Sequence, residues 1–186
     1  LFKPQFDFLQ VQEQDTIVDL GAASGWYEGV FSAYSSLSQL TFILVDLNEK
    51  CLSVSKVDSM KRYYESVKKA PITNKFVLVK NTPDSLYLLP ASFKKVWLMN
   101  TFHELEDRNA LLRQIKEVLL PGGEIVVLDV VAQKPGQLHG GCHKPLATQE
   151  EIRQAFEQNG FSFRNDMVVR SRNGLPEVIM TRFIRM

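Results

Sequence analysis

The sequence predicts an α/β fold, a doubly wound sheet with helices on both faces. Three observations carry that reading. Apolar, strand-like runs alternate with helix-periodic segments along nearly the whole chain. A turn rich in small residues joins the first run to the first helical pattern. The last two runs meet at Arg172-Asn173-Gly174, a hairpin turn. Apolar strands of this kind need cover on both faces, and right-handed crossovers restrict how the chain can wind. With 186 residues and 45% hydrophobic content the chain can bury one sizeable core, so it reads as a single domain over residues 1–186.

The elements follow in order. Thr16–Leu20 is a short apolar strand ending in Asp19-Leu20-Gly21. Tyr27, Val30/Phe31, Tyr34 and Leu37 then fall at helical spacing, which points to a core-facing stripe. Thr41–Asp46 (TFILVD) is the second strand, and Asn48 is placed to cap the helix after it. That helix carries Val57, Met60, Tyr64 and Val67 on one face, with Pro71 beyond its end. Lys75–Lys80 and residues 95–100 (KVWLMN) are the third and fourth strands, with Trp97 a core residue. A helix with Leu111, Ile115 and Val118/Leu119 inward is stopped by Pro121-Gly122-Gly123, before a fifth strand at 124–131 (EIVVLDVV). Residues 132–147 hold prolines, glycines and two histidines and read as a long loop. Thr148-Gln149-Glu150-Glu151 matches a capping box. Its helix buries Ile152, Ala155 and Phe156 and closes at Gly160. Strands at 161–169 and 177–184 complete the pattern.

Composition excludes several function classes. The net charge is +1, from 22 basic and 21 acidic residues, without a basic stripe, so nucleic acid is not an expected partner. No apolar run approaches the roughly 20 residues of a membrane span, so no membrane is expected. Cys51 and Cys142 are too few for a disulfide framework, and no signal peptide is visible. The expectation is a reducing, cytoplasmic setting.

The turn Asp19-x-Gly21-x-Ala23-x-Gly25 lets a ligand approach the backbone closely, and the helix after it offers free N–H groups and the positive end of its dipole. Asp46, ending the second strand, is placed to accept hydrogen bonds from two ribose hydroxyls. A dinucleotide site would want G-x-G-x-x-G. The spacing here, with an acid two residues ahead of the first glycine, instead resembles motif I of class I S-adenosylmethionine (SAM) methyltransferases, with Ala23 in place of the middle glycine. Two later stretches strengthen the resemblance: Thr101-Phe102-His103-Glu104-Leu105-Glu106-Asp107 after strand four, and Val118-Leu119-Leu120-Pro121-Gly122-Gly123 before strand five.

The resemblance runs from about Thr16 to Phe161. It implies SAM as cofactor and a Rossmann-like three-layer sandwich with sheet order 3-2-1-4-5-7-6, strand seven antiparallel. It also implies site residues. Asp19 lies toward the amino end of SAM, and Gly21, Ala22, Ala23 and Gly25 pass beneath its methionine part. Asp46, with Leu47 beside it, holds the ribose. Asn100 and Thr101 contact the methionine part. Thr82 stands where relatives place an acid for the adenine amine. Thr82 itself, Asp84, or backbone contacts alone are the open alternatives there.

Methyl transfer asks a protein to align nucleophile, methyl and sulfur, exclude water and see the nucleophile deprotonated. The three histidines, His103, His139 and His143, all follow strands four and five, with Cys142 and Glu104 nearby. Three readings stay open for them. His103 is a general base or substrate orienter, at an ordinary pKa of about 6.5, beneath a substrate loop carrying His139, Cys142 and His143. Alternatively, His139-x-x-Cys142-His143 with His103 binds an ion such as zinc, although the principal reading includes no metal. Otherwise the loop histidines are merely polar and His103 packs locally. The expected activity is methyl transfer to a small-molecule acceptor. The rivals are a non-catalytic SAM- or partner-binding domain and an NAD(P)-dependent oxidoreductase.

Overall fold

The computed structural model describes residues 2–186. The chain divides into two compact units, Leu1–Tyr87 and Leu88–Met186. In the first, helix α1 (Lys3–Leu9) precedes β1 (Thr16–Leu20), α2 (Trp26–Tyr34), β2 (Thr41–Asp46), α3 (Val54–Lys68) and β3 (Lys75–Lys80). The second holds β4 (Phe93–Met99), α4 (Arg108–Val118), β5 (Leu119–Val130), α5 (Gln149–Gln158), β6 (Phe161–Arg172) and β7 (Leu175–Arg185). The seven strands run in the order β3-β2-β1-β4-β5-β7-β6. Strand β7 is antiparallel to β5 and β6, as the resemblance implied.

In the first unit, β1, β2 and β3 pair in parallel, Val18 against Ile43 and Ile43 against Val77. Ile17, Val18, Phe42 and Leu44 are buried because their strands are apolar on both faces. Helix α2 departs from its expected stripe. It ends at Tyr34, which is exposed, and it buries Glu28, Gly29, Phe31 and Ser32. The cause is the close approach of α3. A Cβ on Gly29 would stand 2.3 Å from Tyr64 Cδ2 and 2.4 Å from Met60 Sδ, so only glycine fits and the helix turns that face inward. The cap of α3 also differs. Ser53 accepts from the Lys56 amide, while the Asn48 side chain closes a turn onto Lys50 N. Val67 lies at the exposed edge of that helix.

In the second unit, α4 passes directly into β5. Its buried residues are Leu112, Ile115 and Val118. Pro121-Gly122-Gly123 does not separate the two elements as expected. It forms an irregularity within β5, where pairing to β4 jumps from Phe93↔Leu119 to Lys95↔Glu124 and Gly122 takes φ +74°. The Thr148–Glu151 capping box is present in full. At the hairpin, Asn173 (φ 52°) and Gly174 (φ 77°) both lie in the left-handed region, the signature of a two-residue turn that suits strand twist. The core of this unit is aromatic, with Phe156 stacked on Phe183 at 4.1 Å and Trp97 fully buried, as expected. Among the described residues, no helix is long and apolar enough to cross a membrane.

Candidate functional site

The candidate residues divide between the two units. In the first, β1 delivers Asp19 and Leu20 to the turn, and Gly21 (φ 77°), Ala23 (φ 48°) and Gly25 (φ 73°) all take left-handed backbone there. That conformation strains a side-chain-bearing residue and is free for glycine. At Gly25 space is limiting as well, since a Cβ would meet Leu44 Cδ1 at 2.9 Å. The turn is tied to the end of β2: Gly21 N and Ala22 N donate to Val45 O, and Ala23 N donates to Asp46 Oδ2 at 2.9 Å. Asp46 Oδ1 accepts from Asn48 N at 2.8 Å. Thus Asp46 and the small-residue turn, separated in sequence, are brought together. Leu47 stands exposed beside them.

Helix α2 starts at Gly25 without any side-chain cap. Gly25 has no side chain to cap the first turn, an arrangement suited to an anion such as the carboxylate of an amino-acid moiety. Trp26 is exposed on this helix and stacks near Tyr63. Thr82 is paired with Ser85 in a short bridge, each amide donating to the other's carbonyl. Asp84 is exposed on that turn.

Beneath the turn lies a feature the sequence reading passed over. Glu28 is fully buried on α2, and Asp19 is 2% exposed at the end of β1. Burial pushes the Glu28 carboxyl above the usual carboxylate range, with the neighbouring Asp19 only partly opposing. Burial, then the charges of Glu28 and Asp19, also push the Tyr27 hydroxyl up. The only sequence signal was an acid one position away from the expected core stripe.

In the second unit, β4 ends at Met99, one residue earlier than expected. Asn100 turns left-handed (φ 58°), is exposed, and donates its amide to Leu128 O at 2.6 Å. Thr101 Oγ1 donates to Met99 O at 3.2 Å. A single 3-10 turn, Phe102–Glu104, then carries His103 inward. His103 is 2% exposed and Asp129, on β5, is 1% exposed. His103 Nδ1 lies 2.7 Å from Asp129 Oδ1, and His103 N donates to Asp129 Oδ2 at 2.9 Å. A carboxylate against Nδ1 favours the proton there and, in the neutral ring, leaves a lone pair on the buried Nε2. That Nε2 has no hydrogen-bond partner, and its nearest acid is Glu104 Oε1 at 3.8 Å. The hydrogen bond to Asp129 raises the His103 pKa, and burial opposes it.

Asp129 was missed as a functional residue. An acid inside the otherwise apolar IVVLDVV (125–131) was the available signal. The loop at 132–147 is better ordered than its composition suggests: Leu138 bridges to Pro145, and His139 N donates to Lys144 O at 2.8 Å. This hairpin brings the His139 ring to 4.4 Å from that of His103 and holds His139 Nδ1 3.2 Å from Cys142 Sγ. His143 is exposed at the tip (φ 57°) and stands outside the group formed by His103, His139 and Cys142. A cavity of about 600 Å³ is lined by Val130, Gln137, Leu138, His139, Leu146 and Arg170 among others, and His103 is not one of its lining residues.

A family described as "Methyltransferase domain" matches residues 18–127. Solved structures share the fold. A SAM-dependent methyltransferase from Aquifex aeolicus superposes with a TM-score of 0.74 at 14% identity, covering 99% of this chain and 89% of that one. A SAM-dependent methyltransferase from Mesorhizobium loti gives 0.69 at 18% identity, covering 99% and 97%. The [4+2]-cyclase SpnF gives 0.69 at 15% identity, covering 98% and 80%.

Proposed function

Because the chain belongs to the methyltransferase-domain family and uses SAM, we propose that it transfers the SAM methyl group to a small-molecule acceptor that meets His103. One observation carries the acceptor half of this reading. His103 is buried, oriented by Asp129 through Nδ1, and left with an unengaged Nε2. A buried nitrogen lone pair without a partner is costly unless function uses it. The near-zero net charge offers little to a nucleic-acid acceptor.

The cofactor half rests on the first unit. The two Asp46 oxygens, which now accept from Ala23 N and Asn48 N, have the geometry to accept ribose hydroxyls. The uncapped start of α2 suits the SAM carboxylate, and Asp19 supplies negative charge toward the ammonium. Thr82, Asp84 or the backbone of their turn would serve the adenine. SAM supplies an already activated methyl. The protein's part is to position, exclude water and receive or redirect the acceptor's proton.

The fold alone does not choose the reaction, since a [4+2]-cyclase shares it. The test is therefore direct. The full chain is incubated with SAM and a panel of hydroxyl, thiol and amine small molecules, and S-adenosylhomocysteine formation is measured. Acceptor-dependent formation that collapses in His103→Ala, with SAM affinity intact, supports the proposal. Tight SAM binding with no product from any acceptor favours a SAM-binding module instead.

A further inference from the structure

We propose that His103 Nε2, His139 and Cys142 Sγ form a site for one divalent ion of the zinc class, with a fourth position open to the acceptor. The three residues come from two separate segments of the second unit, yet their ligand atoms all lie within 4.8 Å of one another. The donor set, two imidazoles and one thiol, is borderline-soft. It suits zinc and disfavours magnesium or calcium, which take oxygen ligands.

The lone cysteine alone would carry nothing, but His103 is a second, independent observation. It is 2% exposed, its Nε2 is without a hydrogen-bond partner, and its ring lies against that of His139. Asp129 holds Nδ1 at 2.7 Å, the carboxylate–histidine arrangement that orients a metal-binding imidazole and makes it more basic. Glu104 Oε1, 3.8 Å from the same Nε2, adds negative charge at the mouth of the site.

Bond lengths of about 2.1 Å to nitrogen and about 2.3 Å to sulfur place tetrahedral ligand atoms roughly 3.3–3.8 Å apart. The pair His139 Nδ1 and Cys142 Sγ, at 3.2 Å, is already near that spacing. The widest separation must shrink by about 1 Å. Cys142 is exposed, and Gly140 beside it has open space around it, so the hairpin tip can make that move. His143, which shares the tip, is not a ligand.

With three protein ligands the fourth position is open, the pattern of catalytic rather than structural zinc. A thiol or hydroxyl acceptor fits it. The acceptor's S–H or O–H would release its proton to water on binding. Its lone pair would then form the bond to the methyl carbon as the carbon–sulfur bond of SAM breaks and returns its electrons to sulfur. This last step rests on the proposed methyl transfer; the ion site itself does not.

The test uses the full chain, stripped with chelator and titrated with Co²⁺ and then Zn²⁺. One equivalent of Co²⁺ should give a thiolate-to-cobalt charge-transfer band that Zn²⁺ bleaches. Cys142→Ala should abolish the band, His139→Ala should weaken binding at least about 10-fold, and Asp129→Asn should weaken it about 10–100-fold. His143→Ala and Cys51→Ser should leave Co²⁺ affinity unchanged. The site is overturned by non-saturable binding, by an unchanged band in Cys142→Ala, or by loss of the band in Cys51→Ser. Cys142 is exposed, so its variant stays folded and keeps the test decisive. Activity separates the two proposals. If the ion binds but thiol and hydroxyl methylation survives chelation, the acceptor-activation step is overturned and His103 works as a free imidazole. If the ion binds and no acceptor is methylated, the methyl-transfer reading has failed and the ion site stands.

Discussion

The turn at Asp19–Gly25 and the cluster around His103 are built on opposite principles. In the turn, backbone geometry makes the site: three left-handed residues, an uncapped helix start, and one carboxylate arriving from the next strand. Around His103, side chains make it. His103, Asp129, His139 and Cys142 come from a 3-10 turn, the end of an apolar strand and a hairpin loop. A backbone site must be written locally, because glycine spacing enforces it. A side-chain site can be assembled from anywhere, because strands carry its parts together.

The largest expected effect tests the second region. His103→Ala should lower kcat by about 10²–10⁴-fold, the range of a lost proton-handling or substrate-orienting group. Asp129→Asn should cost about 10–100-fold, because the amide no longer fixes the Nδ1 proton. SAM affinity, by calorimetry, should change less than twofold in both. A parallel loss of SAM affinity would erase the distinction between the two regions.

Next comes the converse for the turn. Asp46→Ala removes the proposed acceptor for two ribose hydroxyls, which should cost about 3 kcal/mol or roughly 100-fold in the Kd for SAM. The same variant, saturated with SAM, should keep most of its kcat. Loss of kcat at saturation would mean that the ribose contact also aligns the methyl group.

Legibility followed the same division. Gly21, Gly25, Asp46 and the Thr148–Glu151 box could be read because each acts within a few residues or at a strand end. The strand order was implied by resemblance and is present. By contrast, the Asp129–His103 pair joins residues 26 apart in sequence, and no local period encodes it. His103, His139 and Cys142 were each named from sequence, and their ligand atoms gather within 4.8 Å of one another, while His143, at the exposed hairpin tip, is outside that group. The α2 stripe failed for another reason. Periodicity assumes that larger apolar residues face inward, and Gly29 faces inward because α3 leaves no room for a side chain.

That packing gives a smaller prediction. Gly29→Ala forces Tyr64 and Met60 to move, with an overpacking cost of about 1–3 kcal/mol that outweighs any gain in helix propensity. Urea unfolding should show a lower midpoint with an unchanged slope. Wild-type stability in this variant would mean that α2 and α3 separate freely, and the floor of the turn would then not be rigid.

The smallest effect concerns Glu28, below the same turn. Its folded-state pKa is raised by burial, so the folded state binds its proton more tightly than the unfolded chain does. Such a group adds stability that is fully present below the ordinary carboxylate pKa and is lost as pH rises toward the folded value. Glu28→Gln keeps the neutral shape and removes the titration. The variant should match the wild type near pH 4 and exceed it in Tm at neutral pH. Glu28 also lies beside Asp19, so SAM binding sharpens the result. If Glu28 only supports the floor, SAM affinity in Glu28→Gln stays level from pH 5 to 8. If it governs the charge of Asp19, the affinity of the variant gains a different pH dependence from the wild type, and a side-chain network, rather than the backbone alone, would then tune the turn.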